Sequence, residues 1–387
     1  MITPEKLQSL SDPIESIYEQ CVNELLINIG KHISSPTWTH TAAWEIQKLA
    51  ELGQLTKENA SIINKWAQKL TPAMRETMEA TRRAALDKIE AQLAAAAEAG
   101  YITPAMTDNT AAVFAEYFGQ AAEKYNLVNQ TMLDSSIGQY AKFVGIIGNE
   151  ITQEQAEAAQ GILNEAAATA ASGVETRRKA VQRAITRLSD EGLTGFVDRA
   201  GRTWSPEAYV NMVTRSTIHN TAIQATKNRM QEYGTEVFQY SSHAAARPLC
   251  YPCQGKYFSW DGSEGDIELG NGKKVHYKPF SSVEGYNTPA GPFGINCKHE
   301  PIVVIPGVSI PSGAENIQPK EENDKAYAES QQQRALERKI RNAKRVVEMG
   351  NDSDEAKQKV KDAQAEMRQF IAETGRTRRY DREQIGG

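Results

Sequence analysis

The chain has 387 residues, 40% of them hydrophobic and 24% charged, with a formal net charge of −5. That length exceeds what one core usually fills, so two or three domains are expected, and the mildly acidic balance excludes a protein coated all round in basic charge for nucleic acid. Four cysteines are too few for a secreted disulfide framework, residues 1–12 lack the layout of a signal peptide, and no apolar run is long enough to cross a bilayer. A soluble protein made in a reducing cytoplasm is expected, with no membrane partner, and there a Cys pair is more often metal-binding than oxidised.

Asp12 as N-cap, Pro13 at the first helical position and Glu15 in the capping-box position predict a helix start. Ile14, Ile17, Tyr18, Cys21, Val22, Leu25, Leu26 and Ile29 then recur at helical spacing as one apolar stripe, which ends at Gly30 and Ser34-Ser35-Pro36. Cys21 lies on that stripe and is assigned to packing. Helical patterns continue over residues 44–49, 59–70 and 72–99, with breaks at Gly53, Thr71-Pro72 and Gly100, then over 104–125 and 127–147. Residues 153–187 are Ala-rich, a composition that favours helix. No nucleotide loop, HExxH or nucleophile elbow occurs in this half. Trp38, Trp44, Trp66, Phe114 and Phe118 are read as ordinary helix packing. Residues 1–191 are therefore expected to form a helical assembly region.

Character changes near Gly192. Residues 195–198 and 202–204 flank Arg199-Ala200-Gly201 as a short hairpin, ahead of a helix over 206–233 with Ser205 as cap and Pro206 at its first position. Residues 237–240, 256–259 and 302–305 are strand candidates by their β-branched and aromatic content, with turns at Asp261-Gly262, Asn271-Gly272 and Gly291-Pro292. Residues 192–310 are expected to be a compact, loop-rich α+β domain. A polar linker then leads to about Asp324. Leu336, Ile340, Ala343 and Val347, then Ala356, Val360, Ala363, Met367 and Phe370, predict a helical hairpin with its turn at residues 350–353 and its end at Gly375. Residues 311–387 thus form linker, hairpin and basic tail. The predicted fold class is α+β, mainly helical.

Three of the four cysteines and three of the six histidines fall within residues 240–307. Cys250-Tyr251-Pro252-Cys253 followed downstream by Cys297-Lys298-His299 gives two close ligand pairs across a long loop, the pattern of a structural zinc site. Cys250, Cys253, Cys297 and His299 would fill all four positions of a Zn2+ ion as a Cys3His set and leave none open for water. The alternative is that Cys250 and Cys253 are small buried hydrophobes in a proline turn. His243 with Cys297 and His299 also suggests a nucleophile and base, although His243 and Arg247 fit better as groups that hydrogen-bond loop carbonyls or carboxylates. His276, between Val275 and Tyr277, is a spare ligand candidate better read as a strand-edge histidine. Arg334, Arg338, Lys339, Arg341, Lys344 and Arg345, with Arg376, Arg378, Arg379 and Arg382, form basic clusters suited to a weak, non-specific DNA contact, and no base-reading motif accompanies them.

From Gly195 onward the chain resembles the tailed-phage minor capsid protein 2 family, related in its C-terminal part to portal-proximal head-morphogenesis proteins. The likeness is carried by residues 195–198 with Ala200-Gly201-Arg202; the helix around 212–220; Ser242-His243 with Ala246-Arg247-Pro248; Gln254-Gly255-Lys256; Thr288-Pro289-Ala290-Gly291; Gly294 with Asn296-Cys297-Lys298-His299; and Gly375 with Tyr380-Asp381-Arg382. The resemblance implies a non-enzymatic phage head protein, present in few copies. It would be made in the host cytoplasm and carried in the virion, where it binds the portal and the inner capsid or scaffold and acts in head morphogenesis, DNA packaging or ejection. His243, Gln254-Gly255 and Cys297-x-His299 look like family features, whereas Cys250-x-x-Cys253 is not general to the family and is shared with related head-morphogenesis domains. A Cys/His hydrolase or toxin-like effector domain carried in the virion is the alternative from another class.

Overall fold

The computed structural model describes residues 4–34, 47–161, 168–193, 196–197, 203–204, 206–311 and 317–385. Ser205 and residues 44–46 lie outside them, with the readings made there. Helix α1 (Pro4–Ser34) begins a full two turns before the predicted start, so Asp12 is no N-cap and Pro13 lies inside the helix. Leu7 and Leu10 pull the extra turns in, since both are buried against Met78, Leu86, Val113 and Ile218. Pro13 is tolerated because it faces solvent, where the carbonyl it leaves unpaired meets water. The same physics merges the predicted 59–70 and 72–99 segments into α2 (Leu52–Glu98), which passes through Gly53 and an exposed Pro72. Gly100, at φ +80°, is a break as expected. The predicted 104–125 and 127–147 segments are likewise one helix, α3 (Thr110–Gly161), entered at Asp108, whose Oδ1 accepts the Thr110 N–H at 2.9 Å. Helix α4 (Ala168–Glu191) follows, then the antiparallel pair β1 (Phe196–Val197) and β2 (Thr203–Trp204), and α5 (Pro206–Glu232).

The chain divides into two compact units, each assembled from separate stretches. The first takes residues 1–15, 70–125 and 210–331. Its centre is a mixed five-stranded sheet of order β5-β6-β4-β3-β7, built from β3 (Val237–Tyr240), β4 (Tyr257–Ser259), β5 (Gly265–Glu268), β6 (Lys274–Pro279) and β7 (Pro301–Val303). Only the β4 and β6 pair is parallel. Strand β3 lies between β4 and the edge strand β7 and is buried at every position. Alternation sends Phe238 and Tyr240 to one face, with Phe258, Phe280, Met230 and Leu93, and Val237 to the other, with Ile267, Leu269 and Val304. Phe238 stacks on Trp260 with ring centroids 4.1 Å apart.

The second unit takes residues 16–69, 126–209 and 332–387 and is helical apart from the β1 and β2 pair. The α1 stripe of Tyr18, Cys21, Val22, Leu25, Leu26 and Ile29 is buried as its spacing predicts. Gly30 is required there, because a Cβ would lie 2.6 Å from Met349 Cβ. Helices α6 (Lys320–Glu348) and α7 (Asp354–Thr374) form the expected hairpin in this unit, with Leu336 and Ile340 packed on Ala363, Met367 and Phe370. Ser353 caps α7 and Gly375 ends it in the left-handed region. Helix α6 starts ahead of Asp324, which the linker was expected to reach. Among the described residues no helix is long and apolar enough to cross a membrane.

Candidate functional site

The site grows from the ends of β3 and β7 and from the two irregular stretches 241–256 and 280–300. These stretches hold few ladder bonds, so side chains fix them. Asn323 is fully buried, accepts the Ala246 N–H at 2.7 Å and donates to the Ala246 carbonyl at 2.9 Å. Arg247 donates to the carbonyls of Gly291, at 2.8 Å, and Ile295. Gly291 and Gly294 are dictated by close approach: a Cβ on the first would sit 1.8 Å from the Gly285 oxygen, and one on the second 2.5 Å from the Thr288 oxygen. The chain can then wind tightly enough to turn Cys297 inward, helped by Asn296 at φ +59°.

This winding brings Cys250, Cys297 and His299 together, with one potential ligand atom from each lying within 4.8 Å of the others. The two sulfurs are 3.8 Å apart and Cys297 Sγ is 3.5 Å from His299 Nδ1. Their residues are 0%, 2% and 1% exposed, so the cluster is closed to solutes. Cys253, the fourth sequence candidate, is buried in the same apolar cluster but is not one of the three converging groups. Burial pushes its thiol up to about 11. Cys250 is held well below the ordinary thiol range by the hydrogen bond from Cys297, with His299 and the Arg247 guanidinium, 3.4 Å from its sulfur, adding to the effect. Cys297 is raised instead, by burial first and then by Cys250. One thiolate and one thiol is the state these surroundings favour.

The polar groups around the cluster decide where protons sit. Gln254 Oε1 accepts the His243 backbone N–H at 2.7 Å and faces His299 Nε2 at 3.3 Å. His243 Nδ1 lies 2.8 Å from the Ala244 carbonyl, and its ring lies over that of His299 with centroids 4.1 Å apart. Tyr240 OH is 3.4 Å from Cys297 Sγ, and His219 Nε2 donates to the His299 carbonyl at 2.6 Å. Burial drives His219 and His243 down to about 4. Sequence reasoning gave no role to Tyr240 or His219, and marked Gln254 only through the family resemblance. Tyr240 was visible only as a strand aromatic and His219 only as a helix residue, and nothing in their spacing links them to Cys297. His276 stays apart on exposed β6, between Asp266 at 3.0 Å and Glu264 at 3.1 Å, as a strand-edge histidine. Cys21 is buried, and its thiol is raised to about 12 by that burial, which fits a packing role.

Of the residues that carry the resemblance, those at 242–248, 254–256, 288–291 and 294–299 therefore meet around one cluster. The family model for phage minor capsid protein 2 matches residues 2–372. The chain belongs to the phage minor capsid protein 2 family. A structural protein of Lactococcus phage LL-H is 26% identical over 350 residues, 88% of each chain. A structural protein of Lactococcus phage mv4 is 36% identical over 111 residues, which is 26% of this chain and 86% of that relative. No solved structure matches. Within this minor capsid protein, a groove of about 480 Å³ runs between the C-terminal part of α2 and edge strand β7, lined by Ile89, Ala96, Tyr101, Ile302, Val308 and Ile310. None of the cluster residues lines it.

Proposed function

We propose that this minor capsid protein acts in head assembly beside the portal, where it contacts the portal and the inner capsid or scaffold, first in the host cytoplasm and then in the virion. The match to the family over residues 2–372 carries this reading. The closed cluster supports it from the chemical side. A nucleophile and base must reach a substrate, and Cys297 and His299 lie buried, away from the groove at β7. We therefore read the domain as a framework and not as a hydrolase or effector. Its test is to assemble heads in cells with and without an intact copy of this chain and to locate the protein by cryo-electron microscopy. Density at the portal vertex and failure of portal-containing heads without it support the reading, and uniform density over the shell refutes the portal position.

The DNA contact has fewer free charges behind it than the sequence suggests. Arg345 is buried and bonded to Asn23, Lys344 donates to the Glu383 carbonyl, Lys339 pairs with Glu366, Arg378 with Glu383 and Arg379 with Asp381. Binding to mixed-sequence DNA that weakens steeply with salt would restore that role, and no binding at low salt would remove it.

A further inference from the structure

A tetrahedral zinc ion stands about 2.3 Å from thiolate sulfur and about 2.0–2.1 Å from imidazole nitrogen. Those lengths set tetrahedron edges of about 3.8 Å between two sulfurs and about 3.6 Å between sulfur and nitrogen. Cys250 and Cys297 hold their sulfurs at 3.8 Å, and Cys297 and His299 hold sulfur and Nδ1 at 3.5 Å. Two of the three donor pairs thus already keep the spacing of ligands around one centre, and the third lies within 4.8 Å.

Proton placement strengthens the argument. Gln254 Oε1 takes a backbone N–H, which identifies the atom as the amide oxygen, so the contact to His299 requires Nε2 to carry the proton. Nδ1 is then a bare lone pair beside Cys297. The same logic applies to His243, whose Nδ1 must donate to the Ala244 carbonyl, leaving Nε2 bare. That Nε2 is buried and has no hydrogen-bond partner. His243 is not one of the three groups whose ligand atoms converge, and its ring lies over that of His299, so this bare nitrogen reaches a common centre when the side chain turns, with a carbonyl partner for the other nitrogen as metal-ligating histidines have. Arg247 and Tyr240 each place a donor 3.4 Å from a sulfur, where they would support thiolates.

We infer that Cys250, Cys297 and His299 bind one divalent transition-metal ion, zinc in the cell, and that His243 turns on binding to complete a Cys2His2 set, in the position that the sequence pattern gives to Cys253. The ion fills no catalytic role, because the protein supplies all four ligands. It ties the 241–250 loop to the 291–299 loop. Binding displaces the remaining protons from the two thiols to solvent, with no change of oxidation state.

The test uses the full chain purified without chelator. Zinc is counted by mass spectrometry, and Co2+ is exchanged in to read tetrahedral d–d bands and the sulfur-to-cobalt charge-transfer band. One zinc per chain, with a charge-transfer band of two thiolates, is expected. Cys250→Ser and Cys297→Ser should abolish binding, Cys253→Ser should keep the ion and the band, and His243→Gln should weaken Zn2+ binding. Gln254→Leu, which frees His299 to change tautomer, should weaken it about 10–100-fold while circular dichroism stays native. Loss of metal in Cys253→Ser with retention in His243→Gln would overturn the ligand set. A folded wild type with reduced thiols that takes up neither Zn2+ nor Co2+, or a Cys250–Cys297 disulfide found in the freshly purified chain, would overturn the site itself.

Discussion

Asn323 tests whether single side chains stand in for secondary structure around the cluster. Its amide pairs with both backbone groups of Ala246 at 2.7 and 2.9 Å, and both residues are fully buried. Asn323→Ala leaves a buried N–H and a buried C=O without partners, each costing about 1–3 kcal/mol, so the loss should be about 2–6 kcal/mol. For a unit of this size each kcal/mol moves the melting temperature by about 2–4 °C, so calorimetry should show a fall of at least about 4 °C. Asn323→Asp adds a sign. Its protonated acid donates to the Ala246 carbonyl as the amide did, whereas its carboxylate would face that carbonyl in a dry site. Folding therefore raises its pKa above the unfolded value of about 3.9. Between the two pKa values the native state holds a proton that the unfolded state has lost, so stability falls as pH rises. The Asp variant should lie closer to wild type at pH 4 than at pH 7. An Ala variant within about 0.5 kcal/mol of wild type, the spread of unremarkable surface changes, or an Asp variant whose deficit ignores pH, would refute the reasoning.

Gly291→Ala puts a methyl 1.8 Å from the Gly285 oxygen and should prevent native folding of the 280–300 stretch, seen as lost near-ultraviolet circular dichroism. Gly53→Ala, in α2 with nothing within 4 Å of the new Cβ, should instead stabilise by about 0.5–1 kcal/mol in urea titration. Arg345→Ala strands Asn23 Oδ1 and the Ser189 carbonyl in the helical unit and should cost about 2–4 kcal/mol; Lys at 345 should not rescue it, since an ammonium lacks the fork that spans both. The Arg229 hydrogen bond holds the Glu90 carboxyl below its usual range. Its contribution is present above the unfolded pKa, about 4.3, and is lost as pH falls toward the folded value. Glu90→Gln should flatten the stability profile between about pH 5 and 3, and equal slopes in the two proteins would dismiss the pair as a contributor.

What could be read from the chain follows how local each determinant is. The α6 and α7 hairpin was legible because its stripe, its turn at Gly350, the Ser353 cap and the Gly375 stop all act within a few residues. Prolines 13 and 72 misled because their cost depends on which side faces water, and that is set by partners far away in sequence. Leu7 and Leu10 likewise became helical through contacts with residues 78–225. Strand β5 was missed, and β6 was read only as a strand edge around His276, because all their positions but Ile267 are exposed or partly buried, so their apolar content is low. Their Asn271-Gly272 turn was plain, with Gly272 at φ +78°.

The cluster shows the same division. Cys-x-His fixes Cys297 and His299 as neighbours, and that much is local. Of the two cysteines at the ends of the short 3-10 turn Tyr251–Cys253, only Cys250 joins them. No spacing rule contains that information. The surrounding loops carry Ala245, Asn287, Phe293 and Asn296 in the left-handed region, each at a cost on the order of 1 kcal/mol or more. Such backbone persists only where fixed contacts over-determine it. Arg247, Asn323, Gln254 and the paired sulfurs supply those contacts here, in place of the ladder bonds that the stretches lack. Cys and His, residue types usually sought as reactive groups, therefore concentrate in residues 240–323, with Arg247 and Asn323 beside them, because this is where the backbone most needs side-chain support.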